Sequence, residues 1–150
     1  MMRAVVQRVD RARIEVAEAR ISEIGKGILV FLGIEKGDAE TDADHLLDKV
    51  LHLRIFEDGE GKMNLSVMDI SGEMMVVSQF TLLADCRKGR RPSFIAAEAP
   101  EQARILYEYF LRRGKEKLKQ VGSGKFQAMM KVESINDGPV TLFLDSKRAF

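Results

Sequence analysis

The chain has 150 residues, of which 45% are hydrophobic and 31% are charged, as expected for one globular domain with a buried core. A net charge of +1 excludes attraction of nucleic acid by overall charge, so any polyanion must bind a local basic patch. The single cysteine, Cys86, excludes an internal disulfide and a thiolate-rich metal site. Because no apolar run has membrane length and the N-terminus lacks a secretory signal, we expect a cytoplasmic protein.

The N-terminal third of the chain has the apolar patterns of strands. Residues Arg3 to Val9 alternate, and Arg13 to Val16 and Ile21 to Ile24 are predicted to be short paired strands. The glycine-flanked turn at residues 25–27 precedes the apolar run Ile28 to Ile34, which is typical of a central strand.

Two helices are predicted from apolar residues at helical spacing. The first has Thr41 or Asp42 as its N-cap, and the second has Pro100 in its first turn and Gly114 near its end. Their apolar stripes consist of Ala43, Leu46, Leu47, Val50 and Leu53 in the first helix, and Ala103, Leu106, Tyr107, Phe110 and Leu111 in the second.

The remaining segments again favour strands. Residues Met74 to Leu83 are predicted to form a strand between the helices, and the alternation from Phe126 to Glu133 predicts another. Residues Ser134 to Thr141 are predicted to make a tight turn before a last strand that includes Val140, Leu142 and Leu144. We therefore expect a strand-rich mixed α/β fold over residues 1–150, a single domain whose sheet or barrel-like core is covered by two main helices.

Two polar clusters interrupt this apolar pattern. In the predicted strand, Gln79 and Thr81 would point to one face, and Ser78 and Phe80 to the other. A buried polar group without a partner costs about 1–3 kcal/mol, so these side chains need partners or a function. The second cluster is NDGPVT at residues 136–141. Both clusters fit either hydrogen-bonded bulges and turns or a polar pocket, and the residues alone leave this open.

Common catalytic constellations are missing from the sequence. His45 and His52 lie about 10 Å apart along the first helix and have no ligands at metal spacing, so no metal site is predicted. There is no nucleophile elbow or phosphate-binding loop. Cys86 has basic neighbours but no strong candidate base. The basic stretch Arg87 to Pro92 is either a solvated loop or a binding patch.

Together the motifs SQFTL, at residues 78–82, and NDGPVT resemble those of the D-aminoacyl-tRNA deacylases. Further strings that are similar to that family in order and spacing cover essentially the whole chain: AVVQRV (4–9), EIGKGILVFLGIEKGD (23–38), LRIFEDGEGKMNLS (53–66), RRPSF (90–94) and GKF (124–126).

The resemblance implies a homodimeric esterase that uses no metal and no cofactor. Its substrate is the acceptor 3′ end of aminoacyl-tRNA, where it cleaves the ester between a D-amino acid and the terminal ribose. The products are free tRNA and the D-amino acid. The resemblance also implies removal of glycine from mischarged tRNA, so that the reaction is a proofreading step in translation.

The resemblance implies that the SQFT segment lines the catalytic pocket. Its expected roles are an oxyanion-stabilising backbone N–H at Phe80, an ester- or adenosine-holding amide at Gln79 and a scaffold hydroxyl at Ser78. Thr81 is expected to position groups rather than to act as a nucleophile, because no base is apparent. The ribose 2′-hydroxyl is expected to assist proton movement.

Chirality is expected to be controlled by backbone. The resemblance implies a cis Gly138–Pro139 peptide bond in a turn that reaches into the pocket of the other subunit. Its carbonyls would hold the amino group and exclude a side chain of L configuration. The tRNA-binding candidates are Arg87, Lys88, Arg90 and Arg91.

Four residues depart from the family pattern: Cys86, Arg90, Gln127 and Ser134. Arg90 adds a charge that is expected to strengthen contact with the acceptor end.

Two alternative functions remain open on the sequence. One is a non-catalytic RNA-binding module that uses the loop from Arg87 to Arg91, and the other is a small-molecule esterase with Thr81 or Cys86 as nucleophile.

Overall fold

A computed structural model describes residues 1–149 as eight strands, two α-helices and one short 3-10 helix. The elements in chain order are β1 (Arg3–Val16), β2 (Ala19–Ile24), β3 (Gly27–Gly33), α1 (Glu40–His52), β4 (Phe56–Glu57), β5 (Met63–Leu65), β6 (Glu73–Ser78), the 3-10 helix (Phe80–Leu83), α2 (Pro100–Lys115), β7 (Val121–Ser123) and β8 (Lys131–Asp145).

The long strand β1 organises the sheet. Its first half pairs antiparallel with β3, with Val6 opposite Val30, and its second half pairs antiparallel with β2, with Ile14 opposite Ser22. Its other edge pairs along almost its whole length with β8. The two short strands predicted at 3–9 and 13–16 are therefore one continuous strand, and the predicted pairing with residues 21–24 is confirmed.

The sheet continues from β3 through parallel pairing to β6 and then to β7. Strand β3 is the predicted central strand, and Leu29 and Val30 on its two faces are fully buried. Strand β7 curls back toward β2, because a Cβ on Gly122 would lie 2.5 Å from the Ser22 hydroxyl oxygen. The sheet is thus nearly closed and barrel-like, and β4 and β5 form a separate small hairpin.

The two predicted helices are present and cover the sheet. Pro100 occupies the first turn of α2, and Gly114 is buried near its end, as predicted. The predicted N-caps of α1 are wrong, because the helix begins after Ala39, and the carboxylate of Asp42 accepts the Ala39 N–H at 2.9 Å. Leu53, which was predicted to belong to the apolar stripe of this helix, follows its last residue. Neither helix of residues 1–149 has the length and apolarity needed to span a membrane.

The predicted strand over residues 74–83 is wrong in its second half. Strand β6 ends at Ser78, and the chain turns into the 3-10 helix, with hydrogen bonds from Leu82 N to Gln79 O and from Ala84 N to Thr81 O. Gly33 makes room for this turn, because a Cβ there would lie 2.7 Å from the Leu83 side chain. The predicted two-faced arrangement of residues 78–81 is therefore not formed.

The C-terminal strand also differs from expectation. It begins at Lys131 rather than at Phe126, and the predicted turn over residues 134–141 is an interruption within β8. Asn136 pairs with Val9 and Thr141 with Gln7, so residues 137–140 bulge outward opposite Arg8. The four-residue segment 137–140 is called the Gly-Pro bulge below.

Candidate active site

A cavity of about 850 Å³ opens where β6 ends. It is the right size for a small-molecule site. The SQFT segment contributes Ser78, Gln79 and Phe80 to its wall. The rest of the wall comes from β6, the segment after β3, the segment before α2, the start of α2 and residues 126–132. Its residues are Ile34, Lys36, Val77, Phe94, Ala97, Glu98, Ala99, Pro100, Ala103, Phe126, Gln127, Ala128, Met129, Met130 and Val132.

The chain leaves the sheet at the wall of this cavity, at the end of β6. Gln79 N donates to Leu32 O at 2.8 Å, which is the last hydrogen bond before the chain leaves the sheet. Within residues 1–149, the next backbone N–H, that of Phe80, has no hydrogen-bond acceptor. Phe80 is 57% exposed, and its ring packs edge-on against Phe94, with ring centroids 5.2 Å apart. Phe80 is therefore a wall residue that combines a free backbone N–H with a ring in an aromatic pair.

Gln79 and Thr81 are joined by their side chains. The Gln79 amide donates a hydrogen bond to the Thr81 hydroxyl oxygen. Thr81 is exposed and does not line the cavity, so three of the four predicted SQFT residues meet there and the fourth supports Gln79. Among the described residues that form the wall there is no histidine or cysteine to act as a base or a thiol nucleophile.

An aromatic cluster packs around Phe126, another residue of the wall. The Phe126 ring lies 5.8 Å from Tyr107 and 5.2 Å from the Arg104 guanidinium. The Tyr107 hydroxyl donates to Val76 O at 2.7 Å, and burial raises the pKa of Tyr107 to about 12. This part of the wall was not predicted as part of the site. Its only signal in the sequence was that Phe94 and Phe126 lie in two of the family-like strings, RRPSF and GKF.

The Gly-Pro bulge lies apart from this cavity in the same chain. The Gly138–Pro139 peptide bond is cis, as expected, and both residues are exposed. Neither residue lines the cavity. The ends of the bulge are tied by Asn136, whose side-chain oxygen accepts the Val140 N–H at 3.1 Å and whose amide donates to Thr141 at 3.0 Å. The fold of one chain thus does not bring the two predicted motifs together.

Arg8 supports the bulge from below and was not predicted from the sequence. Its side chain is only 8% exposed, and its Nε lies 3.2 Å from both the carbonyl oxygen and a carboxylate oxygen of Asp137. Its Nη1 donates to Ile55 O at 2.6 Å. The sequence did contain a sign that Arg8 is buried, because Arg8 continues the alternation of the buried residues Ala4 and Val6 on one face of β1.

The predicted tRNA-binding residues lie on a loop that leads into the cavity rim. Asp85 and Ser93 pair as an isolated bridge, and Phe94 follows directly. Arg87 makes a two-point ion pair with Asp85, at 2.9 and 2.7 Å, which lowers the pKa of that carboxyl group. The other three cations, Lys88, Arg90 and Arg91, are exposed and have no ion pair with the described residues.

The remaining candidates lie outside the cavity. The His52 ring is 2.8 Å from the backbone oxygen of Asp48, and both histidines are on α1. Cys86 is exposed. No group of three or more His, Cys, Asp or Glu side chains in residues 1–149 is arranged to hold a metal ion. A second cavity, of about 440 Å³, is lined by Arg3, Ala4, Val5, Leu82 and Phe143.

Comparison with known proteins connects this site to a family. The profile of the family described as D-Tyr-tRNA(Tyr) deacylase matches residues 5–145. A D-aminoacyl-tRNA deacylase of Syntrophus aciditrophicus (strain SB) is 66% identical over 99% of this chain and 100% of its own length. One from Clostridioides difficile (strain 630) is 56% identical over the same shares of the two chains.

Solved structures agree in fold. The structure of a c-Myc DNA Unwinding Element Binding Protein superposes with a TM-score of 0.91 at 44% identity, over 95% of this chain and 97% of its own. A probable eukaryotic D-amino acid tRNA deacylase has a TM-score of 0.83 at 19% identity, over 96% and 98% of the two chains, and shows the same fold. With a family profile that spans nearly the whole chain and relatives above 50% identity, this chain belongs to the D-Tyr-tRNA(Tyr) deacylase family, whose members are ester hydrolases.

Proposed function

We propose that the chain hydrolyses the ester of D-aminoacyl-tRNA in the cavity at the end of β6, and releases free tRNA and the D-amino acid. The observation that carries this proposal is Phe80, which lines a cavity of about 850 Å³ and whose backbone N–H has no acceptor within residues 1–149. A backbone donor at this point suits an ester carbonyl that gains negative charge as water attacks. All of residues 1–150 act as one deacylase domain.

The proposed mechanism needs little side-chain chemistry. An aminoacyl ester is already activated, so the cavity contributes orientation of the ester and stabilisation of the oxyanion. Phe80 supplies the backbone donor, Gln79 holds the ester or the terminal adenosine, and Ser78 supports the wall. Thr81 orients the Gln79 amide, with which it shares a hydrogen bond. The substrate's own 2′-hydroxyl helps to move the proton.

The Gly-Pro bulge of a second copy completes each cavity in this proposal. The bulge is exposed and lies away from the cavity of its own chain, so it is available to a partner. The same strand exposes Ile135 and Phe143, at 43% and 66%, which favours burial against another protein surface. A two-fold dimer would use the same contact twice and give two equivalent sites.

Selectivity follows from this arrangement. The carbonyls of Gly138 and Pro139 hold the substrate's amino group and leave no space for a side chain of L configuration. Many different D side chains are accepted because the selecting groups are backbone atoms, which contact none of these side chains. Glycine has no side chain to reject, so glycyl-tRNA is also a substrate.

Contact with the tRNA is made by the basic loop. Lys88, Arg90 and Arg91 are free of ion pairs with described residues and stand next to the rim of the cavity. Arg87 contributes less, because its guanidinium is already bound to Asp85. A loop of this kind adds sequence-independent attraction to phosphates.

A second candidate function is nucleic-acid binding without catalysis, which is favoured by the basic loop and by the structural relative named as a DNA unwinding element binding protein. One assay separates the two functions. Matched D- and L-aminoacyl-tRNA are incubated with the purified protein, with EDTA in a parallel sample, and ester loss is followed. We expect loss of the D-ester alone, with or without EDTA. Binding of both tRNAs without ester loss would favour the second candidate, and equal loss of both would contradict the backbone filter.

A further inference from the structure

We propose that Lys36 binds the 5′-phosphate group of the terminal nucleotide of the substrate. This inference rests on the proposed function, because it requires the aminoacyl ester to lie at Phe80. It concerns a residue of the cavity wall to which the proposed function gives no role.

The backbone of Lys36 is fixed to the cavity rim. Its N–H donates to Ala96 O at 3.0 Å, and Glu98 N donates to Ile34 O at 2.9 Å on the other side of it. Glu35 and Ala97 form the bridge between these two hydrogen bonds. Residues 34–36 and 96–98 are therefore paired strand-like across the rim, and the Lys36 side chain starts from a defined position.

The charges of the cavity wall favour an anion at this position. Among the described residues of the wall, only Lys36 and Glu98 are charged. The Glu98 carboxylate accepts the N–H groups of Ala99, at 2.8 Å, and Gly37, at 3.4 Å, so it is engaged with backbone. The Lys36 ammonium group has no ion pair with residues 1–149. It is the one cation of the wall within this part of the chain.

The chemistry of the substrate provides a matching anion. The terminal nucleotide carries the aminoacyl ester on one side of its ribose and its phosphate on the 5′ side, so the two groups must contact different parts of one cavity. Phe80 and Lys36 both line that cavity. A lysine on a flexible stem is suited to a phosphate because it acts as a point charge without a fixed approach direction.

The same rim leads from Lys36 to the basic loop. Ala96, which accepts the Lys36 N–H, is followed back along the chain by Phe94 and Ser93, where the loop begins. The terminal phosphate at Lys36 and the preceding phosphates at Lys88, Arg90 and Arg91 would thus follow one continuous edge. The occupant of this edge is therefore the phosphate backbone of the unpaired 3′ end of the tRNA.

The test uses two non-hydrolysable analogues that differ only in the phosphate. Both carry a D-alanyl group joined by an amide to the 3′ position of adenosine, and one of them also has a 5′-phosphate. Dissociation constants are measured by calorimetry for the wild type, for Lys36→Met and for the control Lys49→Met on the exposed face of α1. The unphosphorylated analogue and the melting temperature report on the fold of each variant.

We expect the phosphate to strengthen binding by about fivefold in the wild type and in Lys49→Met, as for a single charged contact. In Lys36→Met, this gain should vanish, while affinity for the unphosphorylated analogue stays within about twofold. An equal loss for both analogues, or an unchanged phosphate gain, would overturn the role of Lys36. If neither analogue binds the wild type, the ester site itself is wrong and the proposed function fails with it.

Discussion

Arg8 and Asp137 form an ion pair at 3.2 Å directly beneath the Gly-Pro bulge. The same guanidinium also bonds the Asp137 carbonyl oxygen and Ile55 O, so one side chain from β1 connects the bulge to the segment before β4. A Cβ on Gly138 would lie 3.0 Å from Arg8 Nη2, so the bulge and the Arg8 guanidinium are in close contact at this point. Arg8 therefore acts as a positioning residue for the bulge.

The first prediction concerns this residue. Arg8→Met leaves two carbonyl groups and a carboxylate without their donor, so we expect a loss of about 2–4 kcal/mol in the free energy of unfolding. The bulge should also lose its fixed position, so the ratio of D- to L-ester cleavage should fall. Urea unfolding and paired D- and L-aminoacyl-tRNA assays measure the two effects. The control is Arg13→Met, which breaks only a partly exposed pair with Glu133 and should leave selectivity unchanged. Unchanged selectivity in a folded Arg8→Met would contradict the positioning role.

The second prediction separates the Phe80 backbone from its ring. Phe80→Pro removes the N–H at the first position of the 3-10 helix, where proline is tolerated, and should lower kcat by about 10²–10³-fold. Phe80→Leu keeps the N–H, so its kcat should stay within about tenfold of the wild type. Single-turnover deacylation of D-aminoacyl-tRNA distinguishes the variants. Equal kcat values for Phe80→Pro and Phe80→Leu would rule out the backbone donor.

The third prediction is that no side chain acts as a nucleophile. Thr81→Ala and Cys86→Ala should each keep measurable deacylation, because neither residue lines the cavity and the Thr81 hydroxyl is hydrogen-bonded to the Gln79 amide. Removal of the substrate's 2′-hydroxyl should reduce the rate more than either substitution. Trapping of an aminoacyl group on Thr81 or Cys86, followed by mass spectrometry, would overturn this expectation.

The fourth prediction concerns the basic loop. Replacement of Lys88, Arg90 and Arg91 by alanine should weaken tRNA binding and flatten its dependence on salt, by roughly 0.7–0.9 in the log–log slope per phosphate contact. Arg87→Ala alone should have a smaller effect, because Asp85 already neutralises Arg87. Filter binding at several salt concentrations measures the slope, with the triple variant Arg112→Ala/Lys115→Ala/Lys117→Ala, at and just beyond the end of α2, as the charge-matched control. A slope that does not change would identify the loop as solvated surface.

The fifth prediction concerns assembly. We expect a homodimer of about twice the chain mass in solution, measured by light scattering. A mixed dimer then combines Gln79→Ala/Phe80→Pro in one chain with Gly138→Val in the other. Gly138 has a φ of +123°, which valine does not readily adopt, so the second chain lacks a working bulge. One of the two sites receives both intact parts, and selective activity should reappear on mixing. Verified mixed dimers without activity would contradict the cross-subunit site.

The regular elements of this fold could be predicted because their apolar periodicity is local. Leu46 and Phe110 face the core at helical spacing, and the β3 run is apolar on both faces. The break after Ser78 could not be predicted in this way. It depends on Gly33, which lies distant in sequence and admits the Leu83 side chain, and the apolar residues on both sides of the SQFT segment resemble one uninterrupted strand.

The site was predictable in part for the same reason. Ser78 and Gln79 were noticed as polar residues in an apolar context, and Phe80 was assigned through the family resemblance; all three line one cavity. The other parts of the wall, which include Phe126 and Lys36, come from segments that only the tertiary fold brings together. Phe126 was concealed in an alternating stretch that resembles a strand but is a loop before β8.

The pairing of β1 with β8 has a consequence for how the protein acquires its shape during synthesis. Arg3 pairs with Asp145, so β1 leaves the ribosome long before β8, and one of its edges stays uncovered until nearly all of the described chain has followed. Contacts of such long sequence separation form late and slowly, and the open edge of β1 is exposed to wrong partners until then. A nascent chain that stalls before β8 is complete would therefore contain the Ser78–Phe80 segment and an unpaired edge of β1. Chaperones would have to protect that edge from aggregation until β8 is made.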